Sequence, residues 1–366
     1  MQEASRQEQE LEQAQQARSW RRFAMTYVGV FAGGLGAIYL FIALLDPYHA
    51  VPFSLPMERP IVSISQRYMY PQIVRSGRFD GVVVGSSTAR LIDPEILNPG
   101  FRRRFANLSM DSMTAWEQQQ LVSLFLREVG APKALIVGLD GVWCDPNADR
   151  RRITPAGFPD WLYDANRWND LLYILNSATL EIAFRLAGNK LGLYRERLRS
   201  DGFGVFVPPE DEYDFERAQG HIWSRGRHAK VPRQPPVVLS DAEREELRFP
   251  ALDYLETMLA SLPRDTEVVL AFMPVHVAAQ PAPGTRAAAN EAECKARIAA
   301  IGASHNATVV DWRIPSSITT EDRNYWDNLH YRLPIAHRIA GDLAGPVRQG
   351  RPATDGTYRV LVGPRR

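Results

Sequence analysis

Val82-Val83-Val84-Gly85-Ser86-Ser87-Thr88-Ala89-Arg90 reads as a buried strand that delivers two serines to a tight turn. Three consecutive β-branched residues suit a central strand, and Gly85 is expected to supply backbone freedom where the chain turns sharply. A serine in that turn stands at the carboxyl edge of a sheet, where open α/β folds bind ligands. Taken alone, the stretch is equally an ordinary strand and turn built from small residues. The surrounding pattern decides the fold class. Strands are expected at 82–85, 105–108, 134–139, 267–273 and 307–312, and helices at 115–128, 286–304 and 334–344. Buried apolar strands alternating with helices predict a parallel sheet covered on both faces.

The chain has 366 residues, enough for one large domain with an insertion or for two domains. Its 43 basic and 42 acidic residues nearly cancel, which excludes a large electrostatic footprint for nucleic acid. Cys144 and Cys294 match no metal-ligand spacing, and the sequence leaves open whether they form a disulfide or remain separate thiols. Neither a metal nor a cofactor is expected.

Phe23 to Leu45 contains no charged residue. At about 1.5 Å per residue the run reaches about 35 Å, long enough to span a bilayer with some tilt. Arg18, Arg21 and Arg22 crowd its amino side, while Asp46 and His49 follow its carboxyl side. That asymmetry predicts a cytoplasmic N-terminus and a main domain outside the membrane. A cleaved signal peptide fits less well, because the run is longer than a typical apolar signal core. Gly33, Gly34 and Gly36 would let another membrane helix approach closely.

The expected organisation is therefore a cytoplasmic segment 1–22, a transmembrane helix 23–45, a linker 46–79, an α/β domain 80–345 and a tail 346–366. Pro47, Pro52, Pro56 and Pro60 suggest that the linker is extended and lifts the domain away from the lipid. Between about 145 and 236 the periodicity loosens into an insertion, with some helix expected around 168–186. It carries Trp161, Trp168 and Trp223, aromatic rings that either stack on sugars or, the preferred reading, form the small core the insertion needs. The tail looks poorly ordered, with an edge strand open at 358–362.

The second informative stretch is Asn324-Tyr325-Trp326-Asp327-Asn328-Leu329-His330-Tyr331, just before the last expected helix. An Asp and a His three residues apart on a loop can act together, the carboxylate orienting the imidazole and stabilising its protonated form. Such an imidazole takes a proton from a hydroxyl nucleophile, here Ser87, which is otherwise far too weak an acid to attack a carbonyl.

With both motifs in an α/β frame, the chain resembles the SGNH (GDSL-like) hydrolase superfamily, which implies a flavodoxin-like three-layer α/β/α sandwich. Gly85-Ser86-Ser87 is similar to the family's first block and selects Ser87 as nucleophile, while Asp327 and His330 match its last block as D-x-x-H. The resemblance covers roughly 80–140 and 265–345. The membrane anchor resembles the cell-envelope branch, which includes proteins of teichoic acid D-alanylation and polysaccharide O-acetylation, often beside a membrane-bound O-acyltransferase. Two positions depart from the family pattern. Asn107-Leu108-Ser109-Met110-Asp111-Ser112 places Ser112 where an oxyanion-hole glycine is expected, so the hole would use the backbone N–H groups of Ser87 and Ser112. Gly138-Leu139-Asp140-Gly141 places Asp140 where an asparagine donor is expected, and an ionised carboxylate cannot donate a hydrogen bond. Asp140 alternatively caps the turn after its strand.

Arg90 is a candidate for holding an anionic group of a substrate, and His276 either contacts substrate, competes as base or is a partly exposed loop histidine. His221, His228, His305 and His337 lack motif context and are expected at the surface. The leading expectation is a membrane-anchored extracytoplasmic serine esterase or O-acyltransferase acting on acyl esters of a cell-envelope glycan. The alternative is a catalytically weak protein of the same fold that binds glycan or scaffolds a membrane acyltransferase.

Overall fold

The computed structural model describes residues 2–146, 157–224 and 232–364. A six-stranded sheet is built from β1 Gly81–Gly85, β2 Phe105–Asn107, β3 Ala134–Leu139, β4 Glu267–Phe272, β5 Thr308–Asp311 and β6 Arg359–Val362. Its order is β2-β1-β3-β4-β5-β6, parallel throughout except for β6, which runs antiparallel to β5 at the edge. Helices α1 Gln2–Leu45 and α2 Gln66–Arg75 precede the sheet, α3 Pro94–Phe101 links β1 to β2, and α4 Ala115–Val129 links β2 to β3. Between β3 and β4 lie α5 Asp160–Tyr163, α6 Arg167–Tyr173, α7 Ser177–Lys190, α8 Phe215–Ile222, α9 Asp241–Glu246 and α10 Ala251–Ala260. Finally α11 Arg286–Ser304 links β4 to β5, and α12 Leu333–Asp342 precedes β6.

Strand alternation divides the core in two. Val82, Val84, Leu135 and Val137 pack with Tyr70 of α2, Leu121 and Phe125 of α4 and Leu255 of α10 on one face. Val83, Ile136, Val269 and Ala271 pack with Leu97 of α3 and with Ala336 and Ile339 of α12 on the other. Neighbouring side chains of a strand point to opposite faces, so a continuous apolar run is what a sheet covered on both sides requires. Each fully buried aliphatic side chain contributes about 1.5–3 kcal/mol, and Leu121→Ala would cost about 2–5 kcal/mol.

The segment 46–79 is not the extended linker expected. Tyr48, Ala50, Ile61 and Val62 are buried in the main core, and α2 inserts Met69, Tyr70, Ile73 and Val74 at helical spacing. The prolines stiffen a chain that folds back instead of reaching out. Asp46 accepts the N–H groups of Ala50 and Val51 at 2.8 and 2.9 Å. Arg59 donates to the carbonyls of Leu45 and Asp46, at the end of α1, and to those of Leu55 and Met57 in the loop that follows.

Helix α1 is long and apolar enough to cross a membrane over Leu11–Leu45. Its last turns are docked. Ile42 and Ala43 are buried against Ile174 and Ala183, and the Tyr39 hydroxyl donates to the Leu171 carbonyl at 2.9 Å.

The insertion builds one small cluster with the end of α1, in which Ile174 and Ala183 are buried and Trp161, Leu171 and Leu180 pack, and gives its other apolar residues to the two faces of the sheet. Phe158, Leu162, Tyr163, Ile182 and Leu186 join the first face of the sheet, and Val207 and Ile222 join the second. The tail is also ordered further than expected: Val347 and Tyr358 are buried, and β6 closes the sheet edge.

Candidate active site

β1 ends at Gly85, and the chain turns at once into a single 3-10 turn, Ser87–Ala89. Gly85 does not take a left-handed conformation; its need is for space. A Cβ on Gly85 would lie 2.8 Å from the Ala89 Cβ, and one on its β3 partner Gly138 would lie 2.6 Å from the same atom. Two glycines side by side thus let the turn fold down onto the sheet.

The turn brings Ser87 to the loop before α12. Ser87 Oγ lies 2.9 Å from His330 Nε2, and His330 Nδ1 lies 2.7 Å from Asp327 Oδ2. Asp327 Oδ1 accepts the N–H groups of Leu329 and His330 at 2.7 and 2.8 Å. Burial disfavours the Asp327 charge, but the His330 contact and these two N–H donors outweigh it and hold the carboxyl below its ordinary range. An ionised Asp327 against Nδ1 fixes the proton there and leaves Nε2 as the acceptor of the serine proton. Sequence motifs 243 residues apart therefore form one hydrogen-bonded chain.

Both loops are braced from behind. The Asn107 amide lies within hydrogen-bonding distance of the carbonyls of Ala89, Arg90 and Ile92, and its oxygen accepts the Ser109 N–H. The buried Tyr331 hydroxyl donates to the Thr88 carbonyl, which ties the histidine loop to the serine turn. Trp326 N–H donates to the His330 carbonyl at 2.9 Å, closing the D-x-x-H segment into a tight loop.

The 109–113 loop lies over the end of β1, where Met110 N–H donates to the Gly85 carbonyl at 3.0 Å. Ser112 adopts φ +50°, the left-handed region that explains a glycine preference there. Among the described residues, nothing accepts a hydrogen bond from the amide of Ser87 or Ser112. Three side chains clamp the loop through Asp111. Arg90 pairs with its carboxylate at 2.7 Å, Gln66 accepts its N–H at 3.0 Å, and Arg67 reaches its carbonyl at 3.2 Å while pairing with buried Glu117 at 2.8 Å. Gln66 and Arg67 belong to α2, so the supposed linker buttresses the site.

Arg90, the candidate anion holder, pairs with Asp111, and its guanidinium lies 4.3 Å over the Phe206 ring. Asp140 caps the 3-10 turn Gly141–Cys144, accepting the Val142 N–H at 3.0 Å. Burial pushes its carboxyl above the ordinary range, against the pull of the Ser86 hydroxyl and the Arg313 guanidinium. His276 is not the partly exposed loop histidine that the sequence left open. It is completely buried, with Nε2 3.1 Å from Asp322 Oδ1 and its ring edge-on to Trp223 and Tyr325. Its backbone N–H donates to the Asn328 carbonyl at 3.0 Å, so it braces the loop that carries Asp327 and His330. His221 and His337 are exposed, His305 bonds Glu256 at 2.9 Å, and His228 lies outside the described residues.

Phe206 is a site residue that sequence reading missed. It comes from the insertion, edge-on to His330 at 5.4 Å between ring centres. A neighbouring cavity of about 260 Å³ is lined by Pro208, Glu212, Arg217, His221, Trp326 and Asp327. Cys144 and Cys294 form a disulfide, with an S–S distance of 1.95 Å, that anchors the Asp140 turn to α11.

No known protein-family model matches the sequence. No curated protein matches it either.

Proposed function

We propose that the chain is a membrane-anchored, extracytoplasmic serine esterase or O-acyltransferase of the SGNH type, acting on acyl esters of a cell-envelope glycan. The observation that carries the reading is the Ser87–His330–Asp327 chain at 2.9 and 2.7 Å, with the imidazole oriented by an ionised carboxylate. The strand order 2-1-3-4-5 of the parallel strands supports a flavodoxin-like sandwich, and the serine stands at its carboxyl edge. The Cys144–Cys294 disulfide supports an oxidising compartment, in agreement with the arginines before the apolar run of α1.

In this mechanism Ser87 Oγ attacks the ester carbonyl while His330 Nε2 takes its proton, and Asp327 stabilises the resulting imidazolium. The free amides of Ser87 and Ser112 receive the oxyanion. His330 then returns the proton to the leaving alcohol, and the acyl group stays on Ser87. Water releases it as an acid in an esterase, and a sugar hydroxyl takes it in a transferase; His330 serves as base for either acceptor. Phe206 packs edge-on against the imidazole. A membrane-bound acyltransferase is the natural donor partner for the transfer case.

The test is fluorophosphonate labelling of the full chain in detergent. Labelling that is lost in Ser87→Ala and kept in Ser86→Ala supports the reading. A folded wild-type protein that is neither labelled nor able to cleave a chromogenic acetyl ester would instead be a scaffold or glycan-binding partner of such an acyltransferase.

A further inference from the structure

Large apolar side chains crowd the surface where α1 meets the domain. Trp168 and Leu172 of α6 are each 78% exposed, and Phe184, Leu191 and Leu193 on and just after α7 are similarly bare. Phe53, in the loop that follows α1, is also exposed. Soluble proteins rarely leave a contiguous patch of this kind open to water.

The patch is joined to α1 itself. Phe184 contacts Phe41 with ring centres 5.0 Å apart, and Leu171, next to Leu172 in α6, accepts the Tyr39 hydroxyl. Tyr48 meets Thr179 near the start of α7 whereas Phe41 meets Phe184 further along, so the two segments run in opposite directions. Leu191 and Leu193 therefore lie beyond Phe184 in the direction of the helix interior.

Depth decides what covers this surface. The apolar run of α1 ends at Leu45, and Phe41 sits four residues, or about 6 Å, before that end. A run of about 35 Å exceeds a hydrocarbon core of about 30 Å by little, so Phe41 lies near the lipid–water boundary. Interfacial helices bury their apolar face about 5–10 Å into that boundary, the level at which Phe184 is held. Tryptophan and tyrosine are the side chains suited to this layer, and α6 exposes Trp168 and Tyr173.

We propose that α6 and α7 form a collar against α1 that dips into the outer leaflet, with Trp168, Leu172, Phe184, Leu191 and Leu193 immersed in lipid. This rests on the reading that α1 spans the bilayer. The domain is then seated on the membrane by a broad apolar footprint, where a single helix would only tether it.

Because both native cysteines are paired, one added cysteine labels uniquely. The full chain carrying Leu172→Cys, Leu193→Cys, Leu35→Cys or Val238→Cys is labelled with an environment-sensitive fluorophore. Each variant is reconstituted into phosphatidylcholine–phosphatidylglycerol vesicles with and without nitroxide lipids. Blue-shifted emission and nitroxide quenching at 172 and 193, with neither at 238, is the result expected. Quenching at 35 with water-like emission at 172 and 193 overturns the collar while leaving the anchor intact, and would assign the patch to a protein partner. Water-like emission at 35 as well overturns both.

Discussion

Asp327→Asn tests the hydrogen-bond logic of the site more sharply than deletion of any side chain. Asp327 Oδ1 already accepts two backbone N–H groups, so an asparagine must keep its carbonyl there and turn its NH₂ toward His330 Nδ1. Two donors then face each other at a separation that is now 2.7 Å. The ring escapes by moving its proton to Nε2, which then donates to Ser87 Oγ and no longer accepts from it. The loop survives, because both backbone bonds are kept, but the base is lost. A wrong tautomer in such a triad costs about 10⁴-fold, equivalent to about 5.5 kcal/mol in the barrier. The assay is the second-order rate of fluorophosphonate modification at Ser87, read by intact mass, with melting temperature as the control for folding. Asp327→Ala removes the orienting carboxylate and both backbone bonds together, so it is expected to fall at least as far and to lower the melting temperature as well. An Asp327→Asn protein that reacts within about 10-fold of wild type would refute the assignment of His330 as an Asp327-oriented base.

Replacing Cys144 and Cys294 by alanine opens a loop with a sequence separation of 150, worth about 5 kcal/mol in the chain-entropy account, and should lower the melting temperature by about 6–9 °C; a loss below about 1 kcal/mol in urea unfolding would contradict that account. Ser112→Gly should leave labelling intact and raise stability by up to about 1 kcal/mol, since relief of the left-handed backbone exceeds the entropy cost of glycine, and a large drop in labelling would show that the serine side chain takes part. For Asp140, burial raises the folded-state pKa above the unfolded one, so its favourable contribution is present in acid and lost as pH rises through the folded value. Asp140→Asn removes that titration and should gain stability relative to wild type as pH rises from about 4 to about 8; parallel melting curves for the two proteins across that range would exclude it.

The strands and the triad were legible for local reasons. Val82-Val83-Val84 and Leu135-Ile136-Val137 are apolar on both faces, as a covered parallel sheet demands, and the two short motifs each carry their chemistry within a few residues. What escaped was set by contacts distant in sequence. His276 is buried because Asp322 and Trp223 meet it, and nothing around His276 announces either partner. Phe206 stands in a stretch without periodicity and gains its role only from Arg90 and His330. Helix α2 was the avoidable miss: Met69, Tyr70, Ile73 and Val74 have helical spacing, but Pro71 and the prolines upstream made the region read as a linker. The disulfide was undecidable, because geometry, not spacing, determines whether two distant cysteines meet.

Tyr39 to Leu45 pack onto α6 and α7, so the end of α1 is joined to the α/β domain by side-chain contacts as well as by the chain. A helix whose apolar run exceeds the local hydrocarbon thickness responds by tilting. If α1 spans a bilayer as proposed, a tilt of the shaft would carry the head with it, and the thickness of the surrounding bilayer would then steer the direction in which Ser87 faces.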